Sequence, residues 1–153
     1  MPDTDSSSAN PAPSTHNAQE PIERITSGET LLAIIVRHSF EPDKTTFVTS
    51  DDLNQQIGFI VYPAGGEIVP HSHTNVERTT VGTQETLVVR SGLVEVDLYD
   101  DDHRLVATRT LEAGDVLTLI SGGHGFHMKE DTVLLEIKQG PYGGEKDKER
   151  FDP

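Results

Sequence analysis

Two histidines one residue apart, His71 and His73, are the first residues of this sequence whose types and spacing could do chemistry. On an extended strand both side chains would point to the same face, because successive side chains alternate. Two imidazoles on one face are well placed to share a metal ion. The pair alone is a weak indication, because the chain has 7 histidines and two exposed histidines in a loop would look the same.

Two glutamates follow the histidine pair, and either could join it as a ligand. Glu77 lies in the polar stretch ERTT, which is typical of a hairpin loop, whereas Glu85 opens the apolar stretch ETLVVRSG. If the loop folds back, Glu85 begins a strand antiparallel to the one that carries the histidines. Opposed side chains in such a ladder approach to about 5 Å. This placement favours Glu85, and Glu77 remains the alternative.

A further histidine donor is expected from the glycine-rich segment GGHGFHM at residues 122–128. Glycines beside a histidine let the backbone approach a crowded site. His124 and His127 are three residues apart, so on one extended strand they would face opposite sides. Only one of them is therefore expected in the site, unless a bulge intervenes.

The elements that must position these residues are predicted to be short β-strands. LVEVDLY at 93–99 alternates apolar and polar residues, which is the period of a half-buried strand. Many such segments, separated by glycine-containing turns, predict an all-β fold, an antiparallel sandwich or barrel. The only helical prediction is a short turn at 50–56. The other predicted strands are 31–36, 56–62, 85–90, 105–111, 116–120 and 132–138.

Composition excludes several classes of protein and of site. The chain has no cysteine, so disulfides and thiolate metal sites are excluded. Its net charge of -14 argues against a nucleic-acid partner, because phosphate binding needs clustered Lys and Arg. No apolar run approaches the roughly 20 residues of a membrane span, and the N-terminus lacks the basic and apolar regions of a signal peptide. A cytoplasmic location without membrane partners is therefore expected.

The chain is predicted to divide into a tail and one domain. Residues 1–20 are rich in Ser, Pro, Asn, Ala and Thr, which predicts a disordered tail, and residues 21–153 are enough for a single domain. The C-terminal segment 140–153 is rich in turn residues and then charged. It is either a solvated tail or part of a binding site for an anion. Its basic residues are Lys146, Lys148 and Arg150.

Two motifs resemble those of the cupin family. GEIVPHSH at 66–73, together with ETLVVRSG at 85–92, resembles the first cupin motif, and GDVLTLISGGH at 114–124 resembles the second. Glu85 precedes Gly92 by seven residues, as the first motif requires, whereas the same count from the rival glutamate reaches a glutamine. The resemblance covers roughly residues 31–138 and is strongest to small bacterial single-domain cupins.

The sequence departs from the cupin motifs at three points. Eleven residues separate His73 from Glu85, where cupins usually have three or four, which predicts a longer hairpin loop. Ile120 stands where the second motif usually has proline, and His124 comes one residue early. These departures keep Glu77 and His127 as rival ligands.

The resemblance implies an antiparallel cupin β-barrel of the jelly-roll type with one metal ion in its mouth. The implied ligands are His71, His73, Glu85 and His124. Three imidazoles and a carboxylate suit a divalent transition metal, Fe, Mn, Ni, Co or Zn, without identifying which. The implied function is that of a metal-dependent enzyme, such as a dioxygenase or isomerase, acting on a small keto acid or sugar-like substrate. The alternatives are a non-catalytic cupin that binds a small ligand and a structural metal site.

Four side chains are candidates for substrate contacts, and a homodimer is expected. Arg78 could reach over the barrel mouth to a carboxylate or phosphate, which its fork of donors suits. Gln56 begins the strand before the first motif, and Tyr142 could close over the site. His127 is the fourth candidate. Cupins commonly form dimers, and LLAIIV at 31–36 is predicted to be the edge strand of such an interface.

Overall fold

The computed structural model describes residues 20–153, which contain ten β-strands, one short 3-10 helix and no α-helix. Every strand pair among these residues is antiparallel. The all-β antiparallel prediction is therefore confirmed. The predicted disordered tail lies outside the described residues, apart from Glu20. No helix within 20–153 has the length and apolar character that a membrane crossing requires.

The strands form two main sheets and a short hairpin. The larger sheet has the order β1-β2-β8-β5-β10, the smaller β7-β6-β9, and β3 pairs with β4 alone. Hydrogen bonding does not close these sheets into one barrel within the described part of the chain. The strands are β1 Ile22–Ser27, β2 Thr30–Val36, β3 Thr46–Phe47, β4 Gly58–Phe59, β5 Glu85–Ser91, β6 Leu93–Tyr99, β7 Leu105–Glu112, β8 Val116–Leu119, β9 Gly123–Met128 and β10 Val133–Lys138, and the 3-10 helix is Gly144–Asp147.

The main core lies between the two sheets. Val94, Val96 and Leu98 of β6 point into it, each at most 1% exposed, so the alternation predicted for this strand is confirmed. Leu87 and Val89 of β5 face them from the larger sheet. Full burial of each such side chain stabilises the fold by roughly 1.5–3 kcal/mol. This gain in stability determines which residues of each strand point inward.

The strand β2 was expected at an edge, and this prediction is wrong. β2 lies between β1 and β8, and Leu32 to Val36 are each at most 2% exposed. Its inner face joins the main core, and its outer face is covered by the segment 40–59, which includes β3 and β4. A continuous apolar run suits a strand that is buried on both faces.

Gly92, the last residue of the first motif, forms the corner where the chain passes from the larger to the smaller sheet. Its φ is 87°, in the left-handed region that favours glycine. A Cβ at this position would collide with the carbonyl oxygen of Asp131. The spacing from Glu85 to Gly92 therefore corresponds to the length of β5, from its first residue to the corner that follows it.

The Gly-Asp pair of the second motif anchors the turn between β7 and β8. Asp115 is fully buried, and Arg37 Nη1 donates to its Oδ2 at 2.9 Å. The other carboxylate oxygen accepts from the backbone amide of His38 at 2.8 Å. This buried ion pair joins β2 to β8, so the aspartate has a structural role.

Candidate functional site

Glu85 and His124 meet at one end of the core, although they belong to different sheets. Glu85 begins β5 on the same inward face as Leu87, and His124 opposes Leu98 on the inward face of β9. His124 Nε2 lies 3.4 Å from Glu85 Oε2. A carboxylate and an imidazole, 39 positions apart in the chain, therefore share one site.

The surroundings of His124 favour its neutral form. Its side chain is 33% exposed, and burial lowers its pKa from the ordinary 6.5. The Glu85 carboxylate opposes this shift, whereas the positive charge of Lys148 adds to it. A neutral imidazole retains the nitrogen lone pair that binds a metal ion or accepts a proton.

Lys138 and Glu136 complete a charged cluster that sequence reasoning missed. Lys138 lies directly opposite Glu85 in the ladder between β10 and β5. Its Nζ lies 3.4 Å from Glu85 Oε1 and 2.6 Å from Glu136 Oε1. The hydrogen bond to Glu136 is the main reason that the pKa of Lys138 is raised. The period of β10 could have revealed this, since Leu134, Glu136 and Lys138 alternate onto one face.

These side chains line a cavity of about 1090 Å³ between β5, β9 and β10. Ligand sites typically range over about 300–1,000 Å³, so the cavity has room for a small molecule. Its apolar wall includes Leu119 and Phe126, and its polar wall includes Glu85, His124 and Lys138. The C-terminal segment lines another wall, with Tyr142 among its residues. The Tyr142 ring centroid lies 5.4 Å from Lys138 Nζ, so this predicted substrate residue does reach the cavity.

His71 and His73 lie apart from the cavity, on a segment that we name the histidine loop, residues 62–83. No residue of this loop is in a strand or helix, and all are exposed. The two imidazole centroids are 5.3 Å apart, and neither histidine lines the cavity. Glu77 and Arg78 are exposed in the same loop and do not line the cavity either. Within residues 20–153, no three His, Asp or Glu side chains are grouped to hold a metal ion.

The ladder that we expected between the histidine pair and Glu85 is absent, and that prediction is wrong. β5 already has β8 on one side and β10 on the other, so no third strand can pair with it. The cross-strand neighbours of Glu85 are Leu119 and Lys138. The histidine loop therefore cannot reach Glu85 by pairing with β5, although its last residues, Gly82 and Thr83, do line the cavity.

The remaining candidates, His127 and Gln56, have other contacts. His127 points to the opposite face of β9 from His124, as predicted, and its Nε2 lies 3.0 Å from Asp97 Oδ2. It borders the cavity from that outer side. The side-chain amide of Gln56 donates to the carbonyl of Ser50 at 2.8 Å within its own turn, and it does not line the cavity. The predicted helical turn at 50–56 is a turn without helix.

Comparisons of the chain with protein-family models, with curated proteins and with solved structures gave no match. The chemistry of the site therefore stands on its side chains. The cavity offers a carboxylate, a neutral imidazole and an ammonium group, which can bind a cation or a small polar molecule and can transfer protons.

Proposed function

We propose that this chain is a cupin that binds one divalent transition-metal ion, Fe, Mn, Ni, Co or Zn, and acts as an enzyme on a small oxygenated substrate, a keto acid or sugar-like molecule. The proposed ligands are His71, His73, Glu85 and His124. The observation that carries the proposal is the 3.4 Å contact between Glu85 and His124 beside a cavity. Glu85 belongs to the first cupin-like motif and His124 to the second, so this contact joins the two motifs.

The chemistry of the assembled half of the site fits a metal cation. Burial lowers the pKa of His124 and so favours the neutral imidazole that a metal requires. Glu85 is only 13% exposed and has the ammonium of Lys138 as its neighbouring cation. A divalent ion bound to Glu85 would neutralise the negative charge of this carboxylate in place of Lys138. Imidazole and carboxylate donors together suit the first-row metals named above.

The other half of the site requires the histidine loop to dock on the free edge of β9. β9 pairs with β6 on one side and has no strand on the other within residues 20–153. The loop is hydrogen-bonded to the rest of the fold near its ends, through Val61 to Thr45 and through Val81 to Asn54. A segment of this length reaches up to ~3.3 Å per residue. Docking would bring His71 and His73 to the strand of His124.

Docking is favoured by the apolar residues that the loop leaves in water. Ile68 is 55% exposed and Val69 is 73% exposed. A strand added to β9 would bury one of them against the core and satisfy the edge hydrogen-bonding groups of β9. It would also extend the smaller sheet by one strand toward the predicted jelly-roll barrel.

The residues of the cavity have defined tasks in such an enzyme. The metal ion, when bound, would polarise a carbonyl or lower the pKa of a water molecule. The ammonium of Lys138 would donate a hydrogen bond or proton to the substrate at Nζ, and Glu136 holds that group at 2.6 Å. Leu119 and Phe126 form an apolar wall that excludes water from one side. Activity is tested by loading the purified chain with Fe(II) or Mn(II) and screening 2-oxo acids, diketones and keto-sugars. Turnover that is lost in Glu85→Gln supports an enzyme, and no turnover with any metal contradicts it.

A non-catalytic binding module is the second candidate, and the pairing of the charges in the cavity favours it. Glu85, Glu136 and Lys138 all have a partner of opposite charge within 3.4 Å, so none of these three side chains is available as an unpaired acid or base. A ligand that raises the melting temperature and is recovered unchanged would support this alternative. A purely structural metal site fits less well, because a cavity of about 1090 Å³ adjoins the ligands.

We also propose a homodimer that forms through β10. β10 is an edge strand of the larger sheet, with apolar side chains on the face away from the core. Val133, Leu135 and Ile137 are 57%, 46% and 52% exposed. Pairing with β10 of a second copy would cover this edge. A dimer mass in analytical ultracentrifugation, reduced to a monomer mass by Ile137→Asp, is the expected result; a monomeric parent contradicts it. The predicted cytoplasmic location remains part of the proposal.

A further inference from the structure

Phe151, near the C-terminus, is held in an aromatic niche on the smaller sheet. Its ring is stacked on His103, with centroids 3.9 Å apart and an interplanar angle of 3°. It also meets the ring of Tyr99 edge-on, at 5.2 Å and 83°. Such pairs stabilise an arrangement beyond the area that they bury. A C-terminal solvated tail would make no contacts of this kind.

Two backbone features shape the niche around this ring. Gly123 lies directly against it, and a Cβ at that position would come within 2.7 Å of Phe151 Cζ. His103 has a φ of 61°, which is uncommon for a residue other than glycine. The side chain of Asp100 stabilises that turn by accepting hydrogen bonds from the amides of Asp102 and Arg104. The Phe151 ring therefore packs against Gly123, which has no side chain, and against His103, whose backbone is strained.

The chain between β10 and this niche forms a wall of the cavity. We name residues 139–153 the strap. It begins at the charged cluster, since Lys138 ends β10, and it passes the cavity with Tyr142 and Lys148 among the lining residues. Asp147 Oδ2 accepts a hydrogen bond from the amide of Gly143 at 2.9 Å, which bends the strap on itself. The charge of Lys148 acts on the His124 imidazole, so the strap lies close to the site.

We infer that the strap is a lid over the cavity, that Phe151 is its latch, and that release of this latch increases the access of solutes to Glu85, which is 13% exposed with the strap in place, and to His124, which is 33% exposed. The strap is joined to β10 at one end and is held at the other by the aromatic niche. Loss of the Phe151 ring contacts therefore removes the aromatic anchor at the far end of the strap and favours its movement about Gly140, away from the cavity. This inference depends on the cavity and requires no metal ion, so it stands apart from the proposed function.

The test measures the reaction of each histidine with diethyl pyrocarbonate, which acylates neutral imidazole. The full chain is treated with EDTA to remove metal ions, and peptide mass spectrometry follows the rate at each position. Phe151→Ala is expected to raise the acylation rate of His124 several-fold. His73, which is exposed in the histidine loop, serves as the internal reference with an unchanged rate. Equal rates at His124 in the parent and the variant would overturn the inference.

A pair of glycine variants provides a matched control on the same strand. Gly123→Ala places a methyl group against Phe151, whereas Gly125→Ala, on the same face of β9, meets no atom within 4 Å. Gly123→Ala is expected to raise the rate at His124 as Phe151→Ala does, and Gly125→Ala is expected to behave as the parent. If the two glycine variants give the same rate at His124, the latch is wrong.

Trypsin gives a second measurement that does not depend on histidine chemistry. A latched strap resists cleavage after Lys148, and an unlatched strap does not, so cleavage there should be faster in Phe151→Ala and Gly123→Ala than in the parent. Cleavage after Arg37, whose side chain is only 6% exposed, reports general unfolding and should stay unchanged. Equal cleavage after Lys148 in the parent and both variants contradicts the latch. Loss of metal binding in a separate assay would leave these rates untouched, so the two proposals fail independently.

Discussion

The Nε2 atom of His124 and the Oε2 atom of Glu85 are 3.4 Å apart, although each residue lies on a different sheet. β5 and β9 do not pair with each other, so the contact spans the core from one inner face to the other. Each residue occupies the position of its strand that would otherwise hold an apolar core residue. The fold therefore places a carboxylate and an imidazole on inward strand faces at the wall of a cavity, and such a polar pair is a candidate functional site.

Removal of the Asp115 carboxylate should strongly destabilise the fold. Asp115→Ala leaves Arg37, which is 6% exposed, without its partner at 2.9 Å. Breaking a buried ion pair typically costs about 3–5 kcal/mol. The free energy of unfolding from urea titration measures this cost.

Asp102→Ala is the matched control for that experiment. It breaks an ion pair with Arg104 at the same distance of 2.9 Å, but both side chains are at least 68% exposed. Exposed pairs contribute only about 0–1 kcal/mol. A loss for Asp115→Ala no larger than that for Asp102→Ala would contradict the structural role of the second motif.

The stability of the metal-free chain should fall as the pH drops below about 6.5, in part because of His124. Burial lowers the pKa of this residue below the 6.5 of an unfolded histidine, so the folded chain binds fewer protons than the unfolded chain in that window. Stability rises with pH wherever the unfolded state binds more protons, so acidification through the window is destabilising. His124→Asn should reduce the slope of unfolding free energy against pH, measured after EDTA treatment. Identical slopes in the parent and in His124→Asn would refute the assignment.

The docking of the histidine loop predicts different effects for two adjacent substitutions. On an extended segment, Val69 shares the face of His71 and His73, whereas Ile68 has the opposite face. Val69→Asp should weaken Co(II) binding roughly 10- to 100-fold, because burial of a valine contributes roughly 1.5–3 kcal/mol. Isothermal titration measures this affinity. Ile68→Asp, the control, should bind Co(II) nearly as the parent does; equal affinities in all three chains would mean that the loop does not dock in this register.

The core strands were predictable because their residue patterns are typical of one kind of secondary structure. LVEVDLY alternates strictly, and β6 occupies the predicted 93–99 with its apolar residues inside. LLAIIV was predictable as a strand, but its position in the sheet was not. A continuous apolar run says that both faces are covered, and it does not identify the segment 40–59 that covers the outer one.

For the site, the sequence could predict only the side-chain orientations that strand periodicity determines. The opposite orientations of His124 and His127 follow from their spacing, and the structure has them. Lys138 and Phe151 escaped notice for a physical reason. In the sequence, a lysine at the end of a strand and a phenylalanine in a charged tail both resemble solvated residues. Lys138 reaches the site only because the strand order places β10 beside β5. Phe151 is packed only because the strap crosses to Tyr99 of β6. The histidine loop was misjudged because Pro70 lacks an amide donor and the following residues are polar, so local sequence does not fix a strand there.

The most direct measurement is the number of metal ions bound per chain, determined by elemental analysis after the purified protein is equilibrated with Fe(II), Mn(II), Co(II), Ni(II) or Zn(II) and excess ion is removed. The parent should retain one ion of at least one of these metals per chain, and His71→Ala and Glu85→Ala should each lose it, while Glu77→Ala should keep it. A parent that binds none under these conditions, or variants that retain the full amount, would contradict the proposed metal site.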